Sequence, residues 1–508
     1  MSLFPHLYGA SKLGSITYGY DTLTEALFGL SVDWEQNGYF TGRNEASRLD
    51  DFVIRRGRRH YIKTNGDGFE QEDTGSLVVT TSDPDEDYSP FNTSSPLYGN
   101  IASNRRFQMN VRTPAGLRYD LMKGIVSKVI PMTDVIPRAR IEAQDGWSLL
   151  RGNRANITIV LQEDVYTEEI LPLILEKSNW PSDWGHDLNT GLDIQPYWWV
   201  DKKNAAEAIF DVVHSELGRT FIKNDGAIAF RNRYFIEDPV LTITDADYFD
   251  KSWEVILPWE IQRNLVQVIV RPRTLNTSQD LWRLPQVTPI NNGQTYEFYP
   301  EFTYDNKVVP AKDVLDLVAT TDYTANTLED GGGTNLTSGL VVTKEPLGNQ
   351  AKITVQNASG SNGYLTLLKI RGKPVSNDAS VPLRASNYGP NEDVLDFTLD
   401  LPWIQNVSRA DAFDDFMLDF LSQKKQYITL TLIPDVETQF KLDLGRYVRV
   451  NSTKHGVDAN YSIAYIQHEY QRKRNHTLTT LFLEPLPDIA SYWKFGISAF
   501  GLTTRFAP

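Results

Sequence analysis

Ser76-Leu77-Val78-Val79-Thr80 is the stretch on which the reading of this chain turns. Its β-branched residues suit a strand, and two similar runs frame it, Phe52-Val53-Ile54 before it and Phe107-Gln108-Met109-Asn110-Val111 after it. Gly, Asn, Asp and Pro clusters fill the gaps, so this part of the chain reads as short strands joined by turns, the pattern of a sandwich or barrel. Leu117 to Val129 continues it as a hairpin or strand pair. Pro131 and Pro137 then punctuate the chain before Ile141, which sets a first domain at 1–137.

Beyond residue 160 the period lengthens. Thr167-Glu168-Glu169 opens a helix carrying Ile170, Leu173 and Ile174 toward Trp180-Pro181, which stops it. A second helix has Asp201 as N-cap, Ala205, Ala206, Ile209, Phe210, Val213 and Leu217 at helical spacing, and Gly218 as a left-handed C-terminal cap. Phe221 to Phe230 reads as a hairpin turning at Asn224-Asp225-Gly226, which makes 138–262 an α+β domain. Residues 264–271 alternate as a strand, and the polar passage from Pro272 to Asn292 opens a new unit. Its runs Leu340-Val341-Val342-Thr343, Ala351 to Val355 and Tyr364 to Ile370 are divided by glycine-rich turns, the pattern of a β-sandwich inserted over 263–400. The domain at 401–508 begins with Ser408 capping a helix, Asp411 at its N3 position and Phe413, Phe416, Met417, Phe420 and Leu421 on one stripe. Strands follow at Lys425 to Ile433, Arg446 to Val450, Tyr461 to Tyr470 and His476 to Leu483. The expected class is a β-rich, multidomain α+β chain.

Composition excludes several functions. A chain of 508 residues, 41% hydrophobic, can bury several cores, yet no run approaches the ~20 apolar residues of a membrane span. Met1 to Tyr20 lacks the basic start and apolar block of a signal peptide. With no cysteine there is no disulfide, thiolate metal site or Cys nucleophile. A net charge of −15 argues against a protein that grips nucleic acid through many phosphates.

The residues that invite chemistry mostly read as structure. His214-Ser215-Glu216 joins the residue types of a triad, but neighbours on a helix point apart, and a solvated helix end is the expectation. His468 and His476 lie too far apart for a local zinc pair. Asp83, Asp85 and Asp87 have the spacing of a calcium loop without its remainder, since Tyr88 stands where Gly is needed and Ser94 where the bidentate Glu belongs, so a solvated turn is expected. Gly331-Gly332-Gly333 is a flexible turn, with no Lys-Ser or Lys-Thr after it. Arg55, Arg56, Arg58, Arg59 and Lys63 are divided between two faces of a strand and its turn, next to the acidic run Glu70 to Asp73. That favours salt bridges between subunits over phosphate contact. Trp180, Trp184, Trp198 and Trp199 read as core or interface before they read as a sugar platform.

Three stretches carry a family resemblance. The first joins Ile54-Arg55-Arg56-Gly57-Arg58, Gly75 to Thr80, Asp87-Tyr88-Ser89-Pro90-Phe91-Asn92 and Leu121 to Val126. The second runs from Asn179-Trp180-Pro181 through Trp198 and Ser215-Glu216-Leu217-Gly218 to Gly226 to Arg233. The third pairs Ala351 to Asn357 and Tyr364 to Val375 with Leu478 to Pro485. In this order they resemble the baseplate hub and minor tail proteins at the tail tip of tailed double-stranded DNA bacteriophages.

The resemblance implies two tail-tube-like β-barrels, near 40–135 and 400–485, around the α+β middle and the inserted sandwich. It implies a structural, non-enzymatic subunit without cofactor or metal, located in the virion tail tip after assembly in the host cytoplasm. Its expected partners are further copies of itself in a homotrimeric or other ring, the tail tube or distal tail protein, a distal fibre or spike protein, and phage DNA in passage. Arg55, Arg56, Arg58, Tyr88 and Phe91 are its expected interface residues. Two alternatives stay open: a carbohydrate-binding tail adhesin or depolymerase, and a multidomain surface protein outside phages.

Overall fold

The computed structural model describes residues 27–38, 48–58, 69–132, 136–152, 155–256, 262–390, 392–422, 426–472 and 476–486. Twelve strands form one continuous sheet. In chain order they are β1 (Leu27–Val32), β2 (Leu49–Gly57), β3 (Ser76–Ser82), β4 (Arg105–Arg112), β5 (Arg118–Met132), β6 (Arg138–Gln144), β7 (Leu241–Thr244), β8 (Glu254–Ile256), β9 (Tyr427–Leu432), β10 (Tyr447–Ser452), β11 (Val457–Gln471) and β12 (His476–Pro485). Their spatial order is β1-β4-β5-β6-β3-β2-β11-β12-β9-β8, with β10 beside the first half of β11 and β7 beside β10.

That order contains a repeat. Strands β1 to β6 lie in the order first, fourth, fifth, sixth, third, second, and strands β7 to β12 follow the same order, β7-β10-β11-β12-β9-β8. The fifth strand has 15 residues in both repeats. Its register against the sixth strand shifts at Val126/Lys128 in β5 and at Ile463/Tyr465 in β11, close to where pairing with the fourth strand ends. The first strands differ, since β1 is antiparallel to β4 and β7 is parallel to β10. Each six-strand path is open among the described residues.

Alternation explains the placement. β3 is buried at every second residue, so Leu77, Val79 and Thr81 face the core of the first repeat with Phe52, Ile54, Phe107, Met109 and Ile141. Leu117 to Val129 is not a hairpin. The turn precedes it, closed by Thr113 N–H to the Leu117 carbonyl, and β5 then runs unbroken. Gly124 within it permits a close approach of strands, because a Cβ would lie 2.0 Å from the Gln144 carbonyl oxygen. The pairing of β6 with both β5 and β3 carries the first sheet past Pro137.

Between the repeats, α1 (Trp147–Arg151), α2 (Thr167–Lys177) and α3 (Ala205–His214) pack on the strand pair Asn156–Val165 and Gln195–Asn204 around Trp147, Ile170, Trp198, Ile209 and Phe210. Asn204, not Asp201, caps α3, its side chain accepting from Ala206 N–H at 3.1 Å, because Asp201 still lies in the strand. The left-handed residue after α3 is Leu217 at φ 59°, one place before the expected Gly218. The hairpin Arg219–Ile222 and Ile228–Arg231 forms as expected.

The chain leaves the second repeat after β8 and returns at β9. In that interval Gly363–Asn377 pairs along its length with five short strands, and a second sheet of Thr295–Phe298, Gln350–Asn357 and Leu340–Leu347 shares a core with it at Leu281, Ile353, Val355, Leu365 and Ile370. Leu265–Val270 lies between Val381–Ser386 and Asp396–Asp400, packed under α4 (Val407–Ser422). Asn406, not Ser408, caps α4, accepting from the N–H groups of Ser408 and Arg409. The turn of helix α5 (Val436–Gln439) follows β9, and Val436 and Phe440 reach back into the core of the first repeat.

The two repeats meet where β2 pairs antiparallel with the second half of β11, from Asp51 opposite Gln471 to Gly57 opposite Tyr465. Gly57 has φ 88°, and a Cβ there would stand 2.1 Å from the Ala464 carbonyl oxygen. Gly57→Ala is expected to cost about 2–4 kcal/mol. It should lower the urea midpoint followed by tryptophan fluorescence, whereas Gly389→Ala, with no atom closer than 3.7 Å to the new Cβ, should leave the midpoint in place.

Candidate functional site

The alternation that points Phe52 and Ile54 inward on β2 points Arg56 inward too, and its residue is 1% exposed. Gly57 then turns the backbone, so that Arg58 is buried as well. Arg56 Nη1 donates to Asp443 Oδ1 at 2.8 Å and to the Ile222 carbonyl at 3.4 Å. Asp443 also accepts from Asn224 N–H at 3.0 Å and Leu444 N–H at 2.8 Å. Arg58 pairs with Glu72 through Nη1 and with Glu484 Oε2 through Nη2 at 3.3 Å, and Arg219 approaches the same Glu484 oxygen at 3.6 Å. Arg151 donates to the Glu72 carbonyl and to Thr74 Oγ1. These groups form a buried polar seam in which two arginines of the first repeat bind two carboxylates of the second, with the middle unit closing the sides.

Burial sets the proton affinities here. It raises Glu72 to about 7 against the opposing charge of Arg58, and raises Asp145 to about 6 although that carboxylate accepts from the Trp147 N–H at 3.0 Å. His468, bonded through Nδ1 to Thr479 Oγ1 at 2.9 Å, is pushed down to about 3 by burial and then by the charge of Arg56. Beside the seam, burial raises Glu216 to about 8, while Thr167 Oγ1 donates to it at 2.8 Å. Asp193, near Glu216, pairs with Arg233 at 2.6 Å and with Arg409 of α4.

Of the residues singled out in the sequence, Arg56 and Arg58 bind within the chain, which corrects the intersubunit role expected of them: both are enclosed by their own carboxylate partners. The acidic run does supply one partner, Glu72. Arg55 faces outward and donates to Gln467 Oε1 at 3.1 Å. Arg59 and Lys63 lie outside the described residues, as do Met1 to Tyr20. Tyr88 is 0% exposed and packs near Trp34, so it is core and not interface. Phe91 is 89% exposed, on a loop of successive turns in which each of Glu86, Ser89, Asn92, Ser95 and Tyr98 donates its N–H three residues back.

The loop Asp83-Pro84-Asp85-Glu86-Asp87 is not simply a solvated turn. Asp83 is buried, accepts from the N–H groups of Asp87 and Tyr88, and shares the Arg48 guanidinium with Asp85 and Asp87 at 3.0–3.5 Å. A protein cation thus gathers the three carboxylates, and among the described residues no group of three or more His, Asp or Glu is placed to hold a metal. His214, Ser215 and Glu216 are buried rather than solvated: His214 stacks near Phe210, and the Ser215 hydroxyl bonds the Asp211 carbonyl. Trp184 and Trp198 are buried, and Trp180 and Trp199 make edge contacts with Trp184 and Trp403, a packed arrangement and not an open platform. No described helix is long and apolar enough to cross a membrane.

The chain is similar over most of its length to a number of solved structures, among them these three. They are the tail protein from Neisseria meningitidis MC58 (9% identity, 90% of this chain and 96% of that one, TM-score 0.48) and the 43 kDa tail protein of prophage MuSo2 from Shewanella oneidensis (9%, 91% and 98%, 0.47). The third is the prophage tail protein gp18 from Listeria monocytogenes EGD-e (9%, 91% and 96%, 0.42). All three bear the name of tail protein. No family model and no curated protein matches the chain.

Two outcomes test the buried charges. Arg58→Leu strands Glu72 and Glu484 without their shared cation and is expected to cost about 3–5 kcal/mol, whereas Arg58→Leu with Glu72→Leu costs less. Chemical denaturation of the two variants compares them. Glu216 binds its proton more tightly folded than unfolded, so its contribution is complete below its usual value near 4.5 and is lost as pH rises to about 8. Thermal melts from pH 5 to 8 should therefore lose a component of up to about 1.4 kcal/mol per pH unit that Glu216→Gln abolishes.

Proposed function

We propose that this chain is a structural, non-catalytic subunit of a phage tail tip, a hub whose copies form a ring that ends or extends the tail tube. The observation that carries this reading is the internal repeat: one chain supplies two six-strand units of the same topology, held side by side in one sheet. Three chains then offer six such units, the number that matches a six-fold tube. In this reading the open paths of β1–β6 and β7–β12 curve into tube-like barrels, and the β-rich insert between β8 and β9 stands outside the wall, free to meet a fibre or spike protein. The net charge of −15 suits a lumen through which DNA slides, because an acidic wall repels phosphate and leaves no contacts to be released one by one. The subunit works in the virion, assembled beforehand in the host cytoplasm.

Mass photometry of the purified chain at micromolar concentration, followed by negative-stain imaging, tests this. The expected particle is a trimer with six lobes around a central channel. A chain that stays monomeric alone and with its tail-tube protein would sink the proposal.

A further inference from the structure

The repeat exposes an asymmetry at the fifth strands. In the second repeat, the half of β11 beyond the bulge is covered on one edge by β12 and on the other by β2, the second strand of the first repeat. In the first repeat, the pairing of β4 with β5 stops at Val126, and from Lys128 to Met132 the strand β5 is paired only with β6 among the described residues. Its other edge has no strand among the described residues. The second strand of the second repeat, β8, is likewise paired on one side only among the described residues, with β9. The chain therefore holds one complete junction between a second and a fifth strand, and the two unmatched halves of another.

We propose that these halves join between copies: β8 of one copy adds antiparallel to the free edge of β5 at Ile130–Met132 of the next. The inference rests on the ring reading and names the surface that closes the ring. The internal junction supplies the register. Aligning the bulges equates Val129 with Ile466. Tracing the paired residues across each repeat, Val129-Ile141-Val79-Phe52 and Ile466-Leu481-Leu430, then equates Val53 with Glu254, the residue next along β8 from the end of the second row. Inside the chain Val53 stands opposite Glu469, Ile54 opposite His468 and Arg55 opposite Gln467. Carried over, Glu254 stands opposite Met132, Val255 opposite Pro131 and Ile256 opposite Ile130.

The chemistry of the two edges fits a second copy. Each presents backbone groups that an added strand would satisfy, and an open edge is a template for such pairing. Ile256 is 36% exposed, and Ile130 and Met132 are partly exposed, so the join covers apolar surface as well as backbone. Pro131 withholds one donor but keeps its carbonyl. A head-to-tail contact of this kind is heterologous, and it generates a closed ring when the rotation between copies repeats to a full turn.

The absence of cysteine makes the test direct. Met132→Cys with Glu254→Cys, mildly oxidised, should give a ladder of covalent oligomers on a non-reducing gel that ends at the ring size, because directly opposed residues lie within disulfide reach. Neither single variant should link, and Phe91→Cys with Glu254→Cys should not. In the unmodified chain, assembly should slow amide exchange at Val255, whose N–H faces the free edge of β8, by at least about tenfold relative to the monomer, while Ile256, whose N–H faces β9, serves as the internal reference. Rings that form without the link and without this protection would overturn the junction while leaving the ring reading in place. A chain that neither assembles nor links would overturn both.

Discussion

Everything in this chain hangs on β2, a strand whose two edges belong to different repeats. One edge pairs with β3 and the other with β11, more than four hundred residues away in sequence. Hydrogen bonds alone would allow that strand to slide. Sliding by one residue would turn Arg56 outward and place Arg55 in the core, and the buried carboxylates of Asp443 and Glu484 would lose their cations. The ion pairs are thus better understood as fixing register than as adding stability, since removing a guanidinium from water costs several kcal/mol before any pairing offsets it. Gly57 completes the lock, because any side chain there would push β2 off the Ala464 carbonyl.

The repeats have kept their topology while their cores have become interlocked. Val436 and Phe440, which follow β9 in the second repeat, fill the core of the first, and Phe440 packs against Phe28. The long insertion falls between the second and third strands of the second repeat. That is a tolerant position, because β8 is an edge strand and a detour after it breaks no ladder. An insertion between β10 and β11 or between β11 and β12 would separate hairpin partners that fix the sheet.

Much of this was legible in the sequence where period and turn chemistry agree. β2, β3, β4, the hairpin after α3 and the strands of the insert stand where alternation and glycine clusters place them. The cap of α4 was missed by two residues because Asn406 and Ser408 are both good caps, and only the backbone decides between them. The hairpin or strand pair expected over Leu117 to Val129 is one long strand, because its pattern of apolar residues does not show that the turn lies just before it, between Thr113 and Leu117. The seam itself was half legible: alternation correctly divided the arginines between two faces, but a strand pattern does not say that the inward face continues into a charged interior. Nor does it reveal partners in the 440s and 480s, since burial that depends on pairs hundreds of residues apart leaves no local signal. The repeat left no local signal of its own either; only the family resemblance implied two like units, near 40–135 and 400–485.

The proposed ring would have two kinds of junction, and they would face different physical demands. The junction inside the chain forms once, during folding, and stays buried. It can carry charges whose desolvation is tolerable only because the partners are covalently connected and arrive together. A junction between copies must first exist as a free surface in water, where unpaired buried charges would destabilise each subunit before assembly. Backbone groups and modest apolar side chains suit that role, because they are tolerated when exposed and still gain when covered. In the proposed ring the two second strands differ in this way: β2 leads into the buried guanidinium groups of Arg56 and Arg58, whereas β8 ends on the partly exposed Val255 and Ile256.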